Sequence, residues 1–515
     1  MISDHGCRTC LEAGDECLLS PCAGCRGSSA FIHESCMLKF YLKRKKWWDL
    51  RCPTCTHAYE GEAALRLGRV GLVEAEREYG SLSLEAAATL SSLGSLYGDC
   101  GDATKQRDLL EQALAIHEEI LGPDHTLVAV SLTNLATAYG DLGNAGKQRD
   151  LLERALVIDE REHGEHHPEV AATAMNLGIA YSELGSYGRS RALFERALAI
   201  NEREFGHNHR IVATNLSNLG IVLGLLGDVE QKRDMLERAL GIQEREFGAQ
   251  HRVVAATLTN LGNAYGALGY DMQRCSFLER ALAIDEKHFG PDHREVASTL
   301  TNLGVAYGIF GDFSRQRKLL TRALTIQVRE FGPEHRIVAA TLTGLGDACS
   351  ELGDASFGSK LLQRALAIRE REFGSQHCEV AATLAPFGKV CSALGDAAHG
   401  RLLLERALAI QERDFGSEHR ELASTAEKLG LVCWDLGLEA EAWTMMLRAQ
   451  GILSKCFGDC HPRTSRAKVT LDQWRAKSNR HNDESSDKHK RTLSDLDAVS
   501  ICTGKRICAK SDRTG

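Results

Sequence analysis

The residues best equipped for chemistry stand near the start of the chain in four close pairs: Cys7 with Cys10, Cys22 with Cys25, His33 with Cys36, and Cys52 with Cys55. Two residues separate the members of every pair, so one tight turn can aim two donors at a single ion. Thiolate and imidazole are the ligands zinc prefers, and zinc takes four of them tetrahedrally, so eight donors hold two Zn2+ ions. Eight of the 18 cysteines fall in the first 55 residues, and clustered cysteines can also form disulfides. The histidine within the series argues for metal instead. So does the stretch MISDHGCRTC, which lacks an apolar signal core and reads as a cytoplasmic start. Cys17 has no pair and reads as a loop cysteine, or as a stand-in for Cys22 under a different pairing. The other ten cysteines, such as Cys100, Cys275, Cys349 and Cys433, are scattered and read as small apolar side chains.

The ligand order, four cysteines, one histidine and three cysteines, occurs in two finger families. In PHD fingers, which read histone tails, four or five residues separate the fourth ligand from the histidine, whereas Arg26 to Ile32 makes seven. The stretch SPCAGCRGSSAFIHESCMLKF instead resembles the RING-CH (RING-variant) finger, with Gly27, Ser28, Ile32, His33, Cys36 and Phe40 in matching places and Met37 where leucine is usual. Cys52-Pro53-Thr54-Cys55 is similar to the last ligand pair of RING fingers. The resemblance implies a cross-brace, with Cys7, Cys10, His33 and Cys36 on one zinc and Cys22, Cys25, Cys52 and Cys55 on the other. It also implies a ubiquitin ligase that performs no covalent chemistry itself. Such a finger holds a charged ubiquitin-conjugating enzyme near a substrate lysine, so proximity and orientation supply the rate gain. Candidates for docking that enzyme are Thr9, Trp47, Trp48, Leu50 and Pro53. Two departures weigh against activity: the middle cysteine pair is one residue wider than the family's, and Thr9 stands where the family has an apolar docking residue. A structural or PHD-like finger on a non-enzymatic adaptor is the competing reading, and the two tryptophans then serve as finger core. The run KRKK at 43–46 reads as a solvated helix face.

What positions such a finger is a repeat. His125, His167, His209, His251, His293, His335, His377, His419 and His461 recur every 42 residues without a gap. A fixed period of that length means a solenoid, which buries its core between neighbouring units. In the unit from His251, Leu258, Leu261, Gly262 and Tyr265 fall on one face of a helix that Gly269 stops. Phe277, Leu278, Ala281, Leu282 and Ile284 form the second apolar face, ending at Phe289-Gly290. Glycine recurs in the first helix (Gly178, Gly220, Gly262) and alanine in the second (Ala197, Ala239, Ala281), where two helices must approach closely. Leu-Gly-x-x-Tyr followed by this alanine resembles the tetratricopeptide repeat, and the 42-residue length and the run ERALAIxEReFG resemble its kinesin-light-chain-like variety. The expected fold is mostly α: a cross-brace zinc finger over 1–57, a capping helix over 58–80, a tetratricopeptide superhelix of about nine helix pairs over 81–477, and a disordered tail over 478–515. The repeating histidines read as turn and cap residues. Units stack about 10 Å apart, too far for two of them to share an ion.

A second candidate site lies on the first helices. In the unit from His125, Leu132, Leu135, Ala136 and Tyr139 pack inward, while Val130, Asn134, Thr137 and Asp141 share another face. The second of these positions reads Asn134, Asn176, Asn218, Asn260 and Asn302, then breaks at Gly344, Pro386 and Lys428. A carboxamide both donates and accepts, so such a ladder can hold the main chain of an extended peptide whatever its sequence. Asparagines at this place in peptide-binding tetratricopeptide domains imply the same. A bond to a neighbouring helix, or mere duplication of one ancestral unit, is the other reading. Neighbouring positions vary between units: Ile221, Leu225, Val305 and Ile309 are apolar, while Asp141, Glu183, Asp347 and Glu351 are acidic. A shared grip with varied side chains is how a groove gains specificity.

Net charge is −8, with 43% hydrophobic and 26% charged residues. Mixed charge signs along the repeats exclude a basic nucleic-acid face, and no apolar run reaches the length of a membrane span. The expected partners are a protein or peptide in the groove and a ubiquitin-conjugating enzyme. The run KHKR at 488–491 reads as solvated tail, with nuclear import the other reading.

Overall fold

The computed structural model describes residue 9, residues 18–20, residue 25 and residues 31–478. Cys7, Cys10, Cys17, Cys22, Gly27, Ser28 and the tail from 479 onward lie outside the described residues. The chain divides into two units, Met1–Thr257 and Leu258–Gly515.

The first unit opens with β1 (Leu18–Leu19) antiparallel to β2 (Ile32–His33), Leu18 facing His33, followed directly by α1 (Glu34–Lys43). After an isolated bridge between Arg51 and Ala58 comes α2 (Gly61–Tyr79). The helix pairs α3 (Leu84–Asp99) and α4 (Ala103–Leu121), α5 (Thr126–Asp141) and α6 (Ala145–His163), α7 (Pro168–Glu183) and α8 (Tyr187–Phe205), and α9 (Arg210–Leu225) and α10 (Val229–Phe247) follow. The division falls within α11 (Arg252–Ala267). The second unit continues with α12 (Asp271–Phe289), α13 (Arg294–Phe310), α14 (Phe313–Phe331), α15 (Arg336–Glu351), α16 (Ala355–Phe373), α17 (Cys378–Ala393), α18 (Ala397–Phe415), α19 (Arg420–Asp435), α20 (Glu439–Phe457) and a helix over 462–478. The architecture is a mostly helical α-solenoid.

From α5 onward each first helix begins at one of the repeating histidines; α3 begins at Ser83, whose hydroxyl caps it instead. His125 Nδ1 accepts a hydrogen bond from the Leu127 N–H at 3.1 Å, and His167, His209 and His293 cap their helices in the same way. The imidazole thereby answers a backbone donor that a helix start leaves without a partner. The same ring stacks on the phenylalanine that ends the preceding helix, as His209 does on Phe205 with centroids 4.9 Å apart. Between the two lies a glycine with positive φ, 79° at Gly206, where a side chain would be strained. Within a pair, small residues set the approach. A Cβ at Gly178 would meet the Phe194 ring at 2.9 Å, and one at Gly220 would meet Leu236 at 3.1 Å. Ala197 and Ala239 are fully buried beside them.

In the first unit the N-terminal segment shares its core with the helices behind it. Met37, Tyr41, Trp47, Leu50 and Tyr59 pack with Leu65, Leu67 and Ala75 of α2 and with Leu93 and Leu96 of α3. Gly71 makes room for this, since a Cβ there would collide with the Tyr41 hydroxyl. Tyr41 donates to the Trp47 carbonyl, and burial pushes its phenol pKa up. Ion pairs Arg66–Glu34 (2.8 Å) and Lys45–Glu78 (2.6 Å) span the same junction. Half of the basic run is thus occupied internally, because Arg44 also pairs with Asp49 at 2.6 Å.

In the second unit the C-terminal helices reach back to the turn between α11 and α12. Arg463 pairs with Asp271 at 2.7 Å, His461 Nε2 lies 2.9 Å from the Gly269 carbonyl, and Arg420 donates to the Ala267 carbonyl.

Candidate metal centre and ligand-binding face

Of the eight expected metal ligands, Cys25, Cys52 and Cys55 come together, with their three sulfurs all within 4.8 Å of one another. Cys25 and Cys52 are buried, with sulfurs 3.6 Å apart. A disulfide would hold them at about 2.05 Å, whereas a tetrahedral zinc with Zn–S bonds of about 2.3 Å spaces its sulfurs about 3.8 Å apart. The donor set therefore fits zinc, with Cys22 as the fourth ligand the sequence names. The turn that presents Cys52 and Cys55 is closed by the Thr56 N–H donating to the Cys52 carbonyl at 2.8 Å and by the Cys52 N–H donating to the His57 carbonyl at 2.7 Å. His33, at the end of β2, and Cys36, in the first turn of α1, bring Nδ1 and Sγ to 4.0 Å. Their expected partners Cys7 and Cys10 lie outside the described residues.

The expected docking residues separate. Trp47 is 2% exposed and Leu50 7%. Both point into the core shared with α2 and α3, and Trp47 packs its ring 5.9 Å from Tyr79. They are not available to a docking enzyme, which corrects that expectation. The physical reason is that an apolar segment next to an unpaired helix face is buried first by its own chain. Thr9 and Pro53 are exposed. Trp48 is half-buried: its carbonyl accepts from Ser92 Oγ of α3 at 2.8 Å, and the residue lines a cavity with Asn134.

The ladder asparagines Asn134, Asn176 and Asn218 in the first unit, and Asn260 and Asn302 in the second, are all half-buried. Among the described residues none of the five carboxamides forms a hydrogen bond, so the expected alternative of a bond to a neighbouring helix is not realised. Their neighbours on the same face are open to solvent: Ile221 is 39% exposed, Leu225 51% and Ile309 40%, with Val305 half-buried. Asp141 and Glu183 are exposed, but Glu351 is tied to Lys389 and so offers less negative charge than the sequence alone suggests. Beyond the ladder, Gly344 accepts from Gln316 Nε2 through its carbonyl, and Pro386 is buried inside α17.

One set of polar residues was not anticipated. Asp159 accepts from the Thr173 hydroxyl at 2.6 Å, Asp285 from Thr299 at 2.7 Å, and Gln327 from Thr341 at 2.7 Å, while Arg369 donates to Thr383 at 2.7 Å. Each pair is 14 residues apart, buried, and joins a second helix to the first helix of the next repeat. Burial raises the carboxyl pKa of Asp159 and Asp285 and lowers that of the Arg369 guanidinium. The signal was available: the residue after the isoleucine of each second helix (Ile116, Ile158, Ile200, Ile242, Ile284, Ile326, Ile368, Ile410) is polar in every unit from His117 to Gln411. The scattered thiols Cys275, Cys349, Cys391 and Cys433 are buried, and burial pushes each of them up.

Comparison with known proteins bears on the array. A tetratricopeptide repeat model matches residues 85–147, 143–203, 183–240 and 211–269, and a second matches 254–295 and 296–337. These units are tetratricopeptide repeats, whose arrays bind protein partners. Among curated proteins none matches the chain. Solved structures include a kinesin-light-chain candidate from Podosopora anserina with nearly identical TPR-like repeats, 26% identical over 39% of this chain and 94% of that one, with a TM-score of 0.35. BtubC (BKLC) from P. vanneervenii is 24% identical over 45% of this chain and 90% of that one, at 0.38. The apo form of the quorum sensor NprR from B. thuringiensis covers 73% of this chain and 97% of its own at 14% identity and a TM-score of 0.53, a likeness of fold. Among the described residues no helix is long and apolar enough to cross a membrane.

Proposed function

We propose that this chain is a protein-interaction scaffold whose repeats hold an extended peptide segment of a partner through the asparagine ladder. The observation that carries this reading is the three half-buried carboxamides of the first unit, Asn134, Asn176 and Asn218, 42 residues apart and without a hydrogen bond among the described residues. A half-buried carboxamide without a protein partner is left to water, and a peptide backbone offers it both an acceptor and a donor in exchange. Exposed apolar side chains such as Ile221 and Leu225 flank the ladder and supply sequence preference. A mixed-sequence peptide library passed over the immobilised full chain tests the idea. Asn176→Ala with Asn218→Ala is expected to lower retention about 10-fold for two lost hydrogen bonds, with an unchanged melting temperature. Equal retention removes the reading.

The finger at the N-terminus is proposed to carry two zinc ions, one on Cys22, Cys25, Cys52 and Cys55 and one on Cys7, Cys10, His33 and Cys36. Zinc there supplies structure, cross-linking short loops that have little core of their own. A second reading makes the chain a RING-type ubiquitin ligase, with the repeats delivering substrate to a conjugating enzyme on the finger. The convergence of Cys25, Cys52 and Cys55 beside an exposed Pro53 favours it, and the burial of Trp47 and Leu50 leaves a smaller docking surface. Autoubiquitination with a panel of conjugating enzymes decides: chains lost on Pro53→Ala support the ligase, and no chains with any enzyme leave the scaffold alone. Thiolates kept for zinc suit a reducing compartment, and a cytoplasmic setting, with the nucleus the other reading, is proposed on that ground.

A further inference from the structure

The ladder has one more position, 42 residues before Asn134, and it is occupied by Ser92. Its hydroxyl donates to the Trp48 carbonyl at 2.8 Å. The main chain of the N-terminal finger therefore sits where the ladder reading places the main chain of a ligand. The face ends here, and between Trp48 and Asn134 it opens into a cavity of about 370 Å³.

The lining of that cavity is selective. Leu127 and Val130 form an exposed apolar wall, and Trp48 lines the cavity with them. His117 lies at the floor with Nδ1 2.8 Å from Ser131 Oγ, and burial lowers its pKa, so it adds no positive charge near neutrality. Among the described residues no lysine or arginine lines the cavity. The one charged group is Glu85, half-buried, whose carboxylate forms no ion pair and no hydrogen bond among the described residues.

Resting on the peptide-binding reading above, we infer that this cavity is the end pocket of the ligand face and takes a lysine or arginine side chain of the bound segment. The aliphatic stem lies along Leu127 and Val130, and the cationic head meets the Glu85 carboxylate and the Trp48 indole. Long basic side chains bury their stems against apolar surface while the head stays polar, and an indole face attracts a cation. Asn134 is the first carboxamide free to hold the main chain beside that residue. A leucine or phenylalanine would fill the apolar wall but strand the carboxylate without a counter-charge.

The test uses the full chain and pools of acetylated, amidated nonapeptides, each pool fixed at its central residue as Lys, Arg, Leu, Phe or Glu and mixed elsewhere. Binding is read by competition against a labelled mixed pool. The Lys and Arg pools are expected to bind about 5–10-fold more tightly than the Leu and Phe pools, the size expected for one partly desolvated cation at a carboxylate and an aromatic face. Glu85→Gln should remove that preference, and Glu85→Lys should shift it toward the Glu pool, with the melting temperature unchanged. Preference for Leu or Phe overturns the inference while leaving the ladder reading intact. So does a basic preference that survives Glu85→Lys, since Asp141 or Glu183 would then be its source. Failure of every pool to bind removes both readings.

Discussion

Arg196 crosses a repeat boundary to place Nη1 2.5 Å from Glu160 Oε1, while its Nη2 donates to the Glu165 carbonyl at 3.1 Å. The same step of 36 residues joins Arg154 to Glu118, Arg322 to Glu286 and Arg406 to Glu370. It fails at Arg364, because Val328 stands where the others have glutamate, and that arginine turns to Glu334 at 3.4 Å. Each arginine ties the outer helices of two repeats and also satisfies a turn carbonyl, so it helps set how neighbours stack. Arg196→Ala is expected to cost about 1–2 kcal/mol, made up of an exposed ion pair of at most about 1 kcal/mol and one further hydrogen bond. Thermal melts of the wild type and variant check this. The gap should shrink at high salt but not vanish, because the carbonyl bond is not screened. A gap that closes completely would assign the whole effect to charge.

Zinc removal provides a second prediction. Cys25 and Cys52 belong to the same core as Tyr41, Trp47 and Leu65, so the metal and the packing of Trp47 are coupled. Elemental analysis should give two zinc ions per chain. Cys52→Ser should lose the ion shared with Cys25 and Cys55 and retain the other. Chelation should shift tryptophan emission to longer wavelength and leave most of the helical circular dichroism in place. Structural zinc contributes on the order of 10 kcal/mol to small domains, so apo finger should unravel rather than loosen. A purified chain without zinc would end the metal reading.

These expectations differ in how visible they were beforehand. The array was legible because every repeat puts Gly178 or Gly220 opposite Phe194 or Leu236 by the same arithmetic, and a period repeated nine times averages out local ambiguity. The histidine caps were legible for the same reason. The fate of Trp47 was not. Adjacent tryptophans read alike in a sequence, and which of them turns inward depends on α2, whose apolar face has no partner until the finger folds against it. Ser92 was readable in principle, since it stands one period before Asn134, but a serine does not announce itself as the first member of an asparagine series. The buried pairs such as Asp159–Thr173 were hidden because polar residues after that isoleucine look like solvent-facing helix positions until the next repeat covers them.

Those pairs carry the last prediction, on pH. Burial raises the carboxyl pKa of Asp159 and Asp285 above the ordinary 3.8, and the threonine hydroxyl bonds only partly offset it. The folded state therefore binds these protons more tightly than the unfolded chain does. By linkage, stability is highest below 3.8, falls as pH rises from 3.8 through the raised value, and stays lowered at neutrality. Gln327 occupies the same place in its repeat, accepts from Thr341 through Oε1 and donates to Thr301 Oγ1 at 3.1 Å. A carboxamide can thus serve both partners without a charge. Asp159→Gln with Asp285→Gln is expected to raise the melting temperature at pH 7 by a few degrees, on the scale of about 1 kcal/mol in a protein of this kind. At pH 3 the difference should disappear, because the wild-type carboxyls are then protonated in both states. Melts recorded between pH 3 and 8 decide the matter. A wild type that is the more stable protein at neutral pH would mean that the ionised carboxylate gains more from its threonine bond than it loses by burial, reversing the sign argued here.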